Sequence, residues 1–276
     1  MNKDSKTVDG FGDEWSRFDQ SELSDDERSE LFDLYFSIFP WDKLDSDSIG
    51  FDMGCGSGRW AKLVAPKVKT LYCIDPSDAI NIAKLNLSAN KNCIFLNEEV
   101  SNNSLEDCSM DFGYSLGVLH HIPNTSKGIS DCVKKLKVGA PFLLYLYYKF
   151  DDKGKLFKFI WNVSNVLRMI ISKLPFPLRY FVSQIIALIV YLPLARSSLI
   201  LERIGFSKML LERIPLSFYR DKSFYTMRTD SLDRFGTRLE KRFTKDAILE
   251  MMSDAGLQNI NFSKNQPHWV AVGYKK

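Results

Sequence analysis

The sequence predicts an α/β fold whose sheet is mostly parallel, and three observations lead to it. Short apolar runs alternate with helical patterns between residues 48 and 150. The first apolar run leads into a glycine-rich turn, and the second ends at an acidic residue, Asp75. Strands that alternate with helices in this way form parallel βαβ units with buried strands.

Each element of this core follows from its residues. Short apolar runs bounded by turn signals are typical of buried strands. We expect strands over residues 48–53, 70–74, 93–96, 112–116 and 141–148. Helical spacing of apolar residues predicts helices over residues 59–65, 79–88 and 126–137.

Further segments lie before and after the core. Ser24 and Glu27 have the spacing of a capping box, which predicts a helix in an N-terminal extension. Residues 155–213 predict two or three helices interrupted by prolines. A final helix over 245–255, closed by Gly256, precedes two strands. The four expected segments are the helical extension (1–47), the core (48–150), the helical insertion (151–240) and the C-terminal part that completes the sheet (241–276).

The composition excludes several classes of function. The net charge of +3 is small for 276 residues, whereas a nucleic-acid partner would normally require a dense basic stripe. The five cysteines lack the CxxC spacing of metal and redox sites, so we expect free thiols, no metal and a reducing cytoplasm. The first thirty residues lack a signal-peptide pattern. No uninterrupted apolar run reaches the roughly 20 residues of a membrane-spanning helix.

The glycine-rich turn indicates a ligand site. Gly54, Gly56 and Gly58 follow the first strand, and glycine lets another molecule approach the backbone closely. Asp75 ends the second strand at about the distance in sequence expected of a carboxylate that binds ribose hydroxyls. The pattern does not fit a dinucleotide, because Arg59 stands where GxGxxG requires its third glycine.

The motifs of the core resemble those of the class I S-adenosylmethionine-dependent methyltransferases, in their small-molecule branch. Residues 52–58 match the D-x-G-x-G-x-G motif of that family, and Asp75 matches its acidic residue after strand two. Either Glu98 or Glu99 replaces the acid near the adenine, and we assign this role to Glu99. Residues 111–121 match the strand-four motif.

The resemblance implies a fold, a cofactor and a set of binding residues. The fold is a Rossmann-like, doubly wound, seven-stranded sheet, mostly parallel, with a reversed C-terminal strand and a helical insertion after strand five. The cofactor is S-adenosyl-L-methionine, and the protein mainly positions the nucleophile and excludes water. The cofactor-binding residues that the resemblance implies are Asp52, Gly54, Cys55, Gly56, Gly58, Asp75, Pro76, Glu99, Val100, Leu116 and Gly117.

Two histidines are candidates for the chemistry at the acceptor. His120 and His121 follow the fourth strand, at the edge where the resemblance places the methyl group. A histidine there could accept the proton of the acceptor, because its pKa is near neutral. The family motif favours His121. The alternative is that one ring packs under the cofactor while the other forms a local hydrogen bond.

A polar and aromatic segment precedes the final helix. We expect residues 219–238 to form a loop across the carboxyl edge of the sheet, where loops bind substrates. Four of its residues could then bind a polar or anionic acceptor: Tyr225, Arg228, Asp230 and Arg234. The alternative is a charged surface loop with internal ion pairs.

The helical insertion admits three interpretations. Residues 155–213 are strongly apolar and are flanked by lysines and arginines. They could form a lid over a hydrophobic pocket, a patch that contacts an anionic membrane, or an ordinary helical subdomain or dimer interface. The oligomeric state stays open.

The sequence therefore predicts a cytoplasmic methyltransferase that acts on a small molecule. Oxygen is the preferred acceptor atom, and nitrogen and carbon stay open. A sugar or natural-product intermediate is the preferred acceptor, because Phe11–Trp15 and Gly58–Trp60 are similar to segments of such enzymes. One alternative is an enzyme peripheral at the membrane that methylates a lipid, isoprenoid or quinone. The other is a protein that binds the cofactor without catalysis. The Pro-Pro motif of nucleic-acid amino methylation is missing after strand four.

Overall fold

The predicted strands form a seven-stranded sheet in the computed structural model, which describes residues 2–150, 154–211, 213–265 and 269–276. The strands are β1 (Ile49–Met53), β2 (Thr70–Ile74), β3 (Cys93–Leu96), β4 (Phe112–Leu116), β5 (Pro141–Tyr145), β6 (Leu257–Phe262) and β7 (Val270–Lys275). Their order in the sheet is β3-β2-β1-β4-β5-β7-β6. Among these described strands, β7 runs antiparallel to its neighbours β5 and β6, and the other neighbouring pairs are parallel. The expected Rossmann-like fold is confirmed.

Helices surround the sheet and also form a separate part of the chain. The α-helices of the described residues are α1 (Ser5–Arg17), α2 (Asp25–Phe36), α3 (Ala61–Val64), α4 (Ala79–Asn86), α5 (Thr125–Lys135), α6 (Lys155–Ile171), α7 (Phe176–Ile186), α8 (Leu192–Arg203), α9 (Lys208–Leu211), α10 (Phe224–Gly236) and α11 (Lys245–Asp254). The chain forms two compact units. The first unit comprises Met1–Gln20, Arg28–Asp151 and Leu239–Lys276, and the second comprises Ser21–Glu27 and Asp152–Arg238.

The central strands of the first unit are buried on both faces, as parallel strands covered by helices must be. Every residue of β4 is buried. Two glycines leave room for aromatic rings of the neighbouring strand. A Cβ atom on Gly113 would lie 2.2 Å from Cζ of Phe51, and a Cβ atom on Gly50 would lie 2.2 Å from Cε1 of Phe112. These close approaches explain why glycine occupies positions where a strand would otherwise favour larger residues.

The strand order determines where a ligand can bind. It reverses between β1 and β4, because the chain leaves β1 towards β2 and leaves β4 towards β5 on the opposite side. The connections that follow these two strands therefore run in opposite directions along the sheet. Ligands of open α/β sheets bind at such a reversal point.

A long, continuous helix dominates the second unit. α7, a π-helical turn (Ala187–Tyr191) and α8 follow one another without a break from Phe176 to Arg203. Pro193, expected to interrupt the helices, lies in the first turn of α8. Proline has no N–H to donate to the preceding turn, and the wider π turn just before it accommodates this loss.

This helix is long and apolar, although it contains no uninterrupted apolar run of about 20 residues. Phe176–Arg203 spans 28 residues, and by length and composition alone it is able to cross a membrane. Most of its most apolar part is exposed. Arg179, Ser183 and Gln184 interrupt the apolar run.

The polar segment expected as a loop is a helix, so that prediction is wrong. α10 covers most of residues 219–238, and its Met227, Leu232 and Phe235 are buried. Its N-terminus is capped twice within the second unit. Ser223 Oγ accepts a hydrogen bond from the N–H of Thr226, and the carboxylate of Glu27 accepts hydrogen bonds from Ser223 N and Thr226 Oγ1. Polar residues of the segment are thus buried partners rather than solvated loop residues.

The glycine in β4 allows a test of this packing. Gly113→Ala should destabilise the protein by about 1–3 kcal/mol, the usual range for overpacking a filled core. The reason is the 2.2 Å approach of its Cβ atom to the Phe51 ring. Urea unfolding would measure the change. Gly154→Ala is the matched control, because a Cβ atom there meets no atom within 4 Å. Equal unfolding midpoints for the two variants would contradict the packing described.

Candidate functional site

Backbone hydrogen bonds fix the glycine-rich loop that follows β1. The N–H groups of Gly54 and Cys55 both donate to the carbonyl of Ile74, at 2.7 and 3.0 Å. Gly54 has a φ angle of +81°, and a Cβ atom there would lie 2.4 Å from Val118 Cγ1. Both the backbone conformation and the space therefore require glycine at this position.

Asp75 lies at the end of β2 and faces this loop. Its Oδ2 accepts a hydrogen bond from Gly56 N at 2.9 Å, and its Oδ1 accepts from Ser77 N at 2.9 Å and Ser77 Oγ at 2.6 Å. Asn97 Nδ2 donates to the carbonyls of Asp75 and Ser77, both at 3.1 Å. Burial raises the pKa of Asp75, while the hydrogen bonds from Ser77 and Gly56 lower it. The carboxylate is thus oriented by its own chain.

Asp52 is a second buried carboxylate at the same edge. It lies on β1 between Cys73 of β2 and Tyr114 of β4 and is only 1% exposed. Its Oδ2 has no hydrogen-bond partner among the described residues. Burial raises the pKa of Asp52 well above its usual range; the hydroxyl of Tyr114 opposes this shift, and the nearby charge of Asp75 adds to it. An unpaired, buried carboxyl oxygen beside a glycine loop can accept a donor from a ligand.

The loop after β3 gives Glu98 and Glu99 different surroundings. Glu98 Oε2 accepts hydrogen bonds from Ser104 N and Ser104 Oγ. Glu99 Oε1 lies 3.3 Å from Lys3 Nζ, and Val100 is buried. Glu98 is therefore engaged within its own loop, while Glu99 pairs with the N-terminal segment.

The chain after β4 places two histidines beside Gly117. His120 lies on a 3-10 helix (Leu119–His121) and is fully buried. Its ring centroid lies 3.9 Å from those of both His121 and Tyr147. Neither ring nitrogen of His120 has a hydrogen-bond partner among the described residues. Burial lowers the pKa of His120 well below its usual value, and the charges of His121 and Arg242 act in the same direction. The imidazole is therefore neutral at pH 7.

His121 has a structural hydrogen bond. Its Nδ1 lies 2.7 Å from the carbonyl oxygen of Leu239, which can only accept, so Nδ1 carries the hydrogen. The ring of Phe11 contacts that of His121 at 4.9 Å. This is the local hydrogen bond that the alternative interpretation expected of one histidine. With the hydrogen on Nδ1, Nε2 of His121 carries the lone pair of that ring.

Sequence reasoning missed the part that helix α1 plays at this edge. Trp15 Nε1 lies 3.0 Å from the position a Cβ atom would take on Gly56, and Phe11 contacts His121. A Cβ atom on Gly12 would lie 3.4 Å from Asp78 N. α1 therefore borders both the glycine loop and the histidines. The similarity of Phe11–Trp15 to segments of related enzymes was the signal that could have located it.

The four predicted substrate residues lie on α10 of the second unit. Arg228 donates from Nε to Gln184 Oε1 at 2.6 Å and from Nη2 to Tyr180 OH at 3.0 Å. Arg234 donates from Nη2 to Ser164 Oγ at 3.2 Å. Tyr225 is buried and Asp230 is half-buried. The two arginines thus hold their own unit together, whereas the predicted cofactor residues and the histidines all lie in the first unit.

The cysteines of the described residues are free thiols, as expected. Cys55, Cys73 and Cys132 are buried, and burial raises the pKa of Cys55 to about 11. Within the described ranges no group of three or more His, Cys, Asp or Glu side chains could hold a metal ion.

Comparison with known proteins agrees with this geometry. Residues 51–144 match a family model described as a methyltransferase domain. A search of curated protein sequences finds no match.

Solved structures share the fold at low sequence identity. A candidate methyltransferase from Bacillus halodurans is 14% identical, with 86% of this chain and 71% of that chain covered, at a TM-score of 0.50. A chain from the complex of a Haloferax volcanii methyltransferase activator with a candidate methyltransferase is 13% identical, with 95% and 96% covered, also at 0.50. These likenesses show the fold alone. The matched family model and the strand order therefore identify residues 51–144 as a methyltransferase domain on a Rossmann-like fold.

Proposed function

We propose that the enzyme methylates a small-molecule acceptor, preferably at oxygen, at the carboxyl edge of the first unit. The observation that carries this proposal is the convergence of two buried carboxylates, a fixed glycine loop and a neutral, buried histidine at one crevice. A sugar or natural-product intermediate is the preferred acceptor. The match of residues 51–144 to a methyltransferase domain supports catalysis over the alternative of cofactor binding without catalysis.

The residues present fit S-adenosylmethionine. The unpaired Oδ2 of Asp52 suits a cationic donor such as an ammonium group, and the glycine loop leaves room for close approach to its backbone. When bound, the cofactor supplies an electrophilic methyl group on a sulfonium sulfur. The residues that we assign to hold it are Asp52, Gly54, Cys55, Gly56, Gly58, Asp75, Pro76, Glu99, Val100, Leu116 and Gly117.

Asp75 is assigned to the ribose hydroxyls. A carboxylate offers about four lone-pair sites, and the hydrogen bonds from Gly56 and Ser77 use three of them. Those bonds hold the carboxylate in one orientation before any ligand arrives. Hydroxyl donors then meet a fixed acceptor, which reduces the ordering cost of binding.

His120 is assigned as the proton acceptor for the acceptor hydroxyl. A neutral imidazole can accept a proton at a nitrogen that carries a lone pair; burial weakens His120 as a base, so it takes the proton only as the acceptor oxygen becomes bonded to carbon. Tyr147 stacks on His120 and holds the ring in place. Alignment of the acceptor contributes most of the rate in this type of transfer, and the histidine removes the proton as the oxygen becomes bonded to carbon.

A lipid, isoprenoid or quinone is the second candidate acceptor. The observation that favours it is the apolar surface of the second unit, where Phe159, Phe181 and Ile189 are more than half exposed. Release of S-adenosylhomocysteine in the presence of water-soluble acceptors, or of acceptors supplied in vesicles, would distinguish the two classes.

Asp75 provides the first test of the cofactor site. Asp75→Ala should weaken the binding of S-adenosylhomocysteine by about 1–3 kcal/mol, or roughly 5- to 150-fold, because hydrogen bonds to a charged group are lost. Calorimetric titration would measure this change. Asp78→Ala is the matched control, since Asp78 is exposed and makes no side-chain capping bond. Absence of binding by the folded native chain would refute the assignment.

We expect the charge of Asp52 to lower the stability of the ligand-free protein while it strengthens cofactor binding. Its folded pKa is raised, so the folded state holds the proton more tightly than the unfolded state. Stability is therefore lost as pH rises above the ordinary pKa of 3.8 and through the raised folded value. Asp52→Asn removes this cost, so the ligand-free variant should melt higher than the native chain at pH 8, with a smaller difference at pH 5. The same variant should bind S-adenosylhomocysteine more weakly.

Thermal unfolding between pH 5 and pH 8 would measure this effect. Asp107→Asn is the control of opposite sign, because Lys135 lowers the pKa of Asp107. Its stabilising contribution is fully present above its ordinary pKa of 3.8, so Asp107→Asn should not raise the melting temperature at either pH. A lower melting temperature of Asp52→Asn at pH 8 would count against the buried-charge argument.

His120 provides the test of the chemistry. His120→Gln should lower kcat by about 10²- to 10⁴-fold, the usual contribution of a general base, without changing the affinity for S-adenosylhomocysteine. His121→Asn should mainly lower the melting temperature, because it disturbs the bond to Leu239. Turnover with an acceptor identified by screening would measure both effects. Full activity of His120→Gln would show that alignment alone suffices.

A further inference from the structure

The second unit exposes apolar side chains. Among the described residues 22 large apolar side chains are exposed, and 18 of them lie between residues 159 and 210. Exposed apolar surface of this extent marks an interaction site in a stable protein.

These side chains follow one face of each helix. On α6, Phe159, Val163, Val166 and Ile170 recur at intervals of three and four residues and are all exposed. On the continuous helix Phe176–Arg203, the same spacing relates its exposed residues Leu178, Phe181, Ile185, Leu188 and Ile189. Each helix therefore presents an apolar stripe to its surroundings.

The opposite faces of the same helices bury polar groups. Arg168 Nη1 donates to the carbonyls of Thr237 and Arg238, both at 3.0 Å. Arg179 Nη1 donates to the carbonyl of Gly236 at 3.2 Å, and Arg196 donates to the carbonyls of Arg220 and Lys222. The arginines are thus held within the unit. One face of the helix Phe176–Arg203 therefore packs on its own unit, and the opposite face is the one that can contact a partner.

The net charge of residues 154–213 indicates which kind of partner binds the apolar stripes. Residues 154–213 contain nine lysines and arginines but only two glutamates, a net charge of +7, whereas the whole chain carries +3. Arg168, Arg179 and Arg196 are bonded within the unit, and the other six basic residues still outnumber the two glutamates. Two copies of such a surface would repel one another. An anionic lipid surface attracts it, and each basic residue near that surface adds to the attraction.

We propose that the second unit docks on an anionic lipid bilayer. α6 and the helix Phe176–Arg203 lie in the plane of the interface, with their apolar stripes inserted among the lipids and nearby basic side chains at the headgroups. The helix lies on the membrane rather than crossing it, because Arg179 and Arg196 are bonded to backbone carbonyls of the same unit. The proposal is independent of the catalytic assignment.

Vesicle co-sedimentation of the full-length chain tests the proposal. Vesicles of phosphatidylcholine alone are compared with vesicles that also contain phosphatidylglycerol. The native chain should sediment with the anionic vesicles, more weakly with the neutral ones, and less as salt concentration rises. The variant Phe181→Gln/Ile185→Gln/Leu188→Gln/Ile189→Gln should bind the anionic vesicles at least about tenfold more weakly.

The matched control also replaces exposed apolar residues by glutamine, but at positions outside the apolar stripes. Leu85→Gln/Val138→Gln alters two exposed apolar residues of the first unit and should sediment like the native chain. Circular dichroism and thermal unfolding verify that each variant is folded. Equal sedimentation of the stripe variant and the native chain would overturn the proposal. A second result would also overturn it. If the native chain bound no vesicles, had the mass of a dimer in light scattering, and became a monomer in the stripe variant, the stripes would bind a second copy of the chain.

Discussion

The hydrogen bonds between the glycine loop and the end of β2 fix the rest of the site. The carbonyl of Ile74 accepts two N–H groups of the loop, and the carboxylate of Asp75 accepts a third. Asn97 then connects the end of β3 to the same turn. Three strand ends are thus joined by bonds that need no ligand. The site is preorganised, so binding does not require the protein to order its own groups.

Electrostatics adds a second constraint to this rigid edge. Burial disfavours the charged forms of Asp52, Asp75 and His120, and the charge of Asp75 further disfavours the ionisation of Asp52. Buried groups with displaced pKa values are typical of functional sites, because a core selected for stability alone would avoid them. A cationic ligand relieves the cost at Asp52, and a neutral His120 is the form that can accept a proton.

The two units arrange polar and apolar residues in opposite ways. The first unit buries its apolar residues in the usual manner, with a core between the sheet and helices such as α5 and α11. Among its described residues, the second unit has an apolar cluster around Met227 and Phe235, and it buries Arg168 and Arg179 against backbone carbonyls. Many of its other large apolar side chains are exposed. A folded unit of this kind has its free surface adapted to an apolar environment.

The sequence by itself determined the strands, their order of appearance and the glycine–acid pair, because these depend on residues close together in the chain. β2, β3 and β4 have the predicted bounds. Only the tertiary structure decided the rest. Glu27, which has the spacing of a local capping box, accepts hydrogen bonds from Ser223, 196 residues away, at the start of a helix expected as a loop. The position of α1 beside the glycine loop and the free nitrogens of His120 likewise depend on partners distant in sequence, and periodicity within a short window carries no information about them.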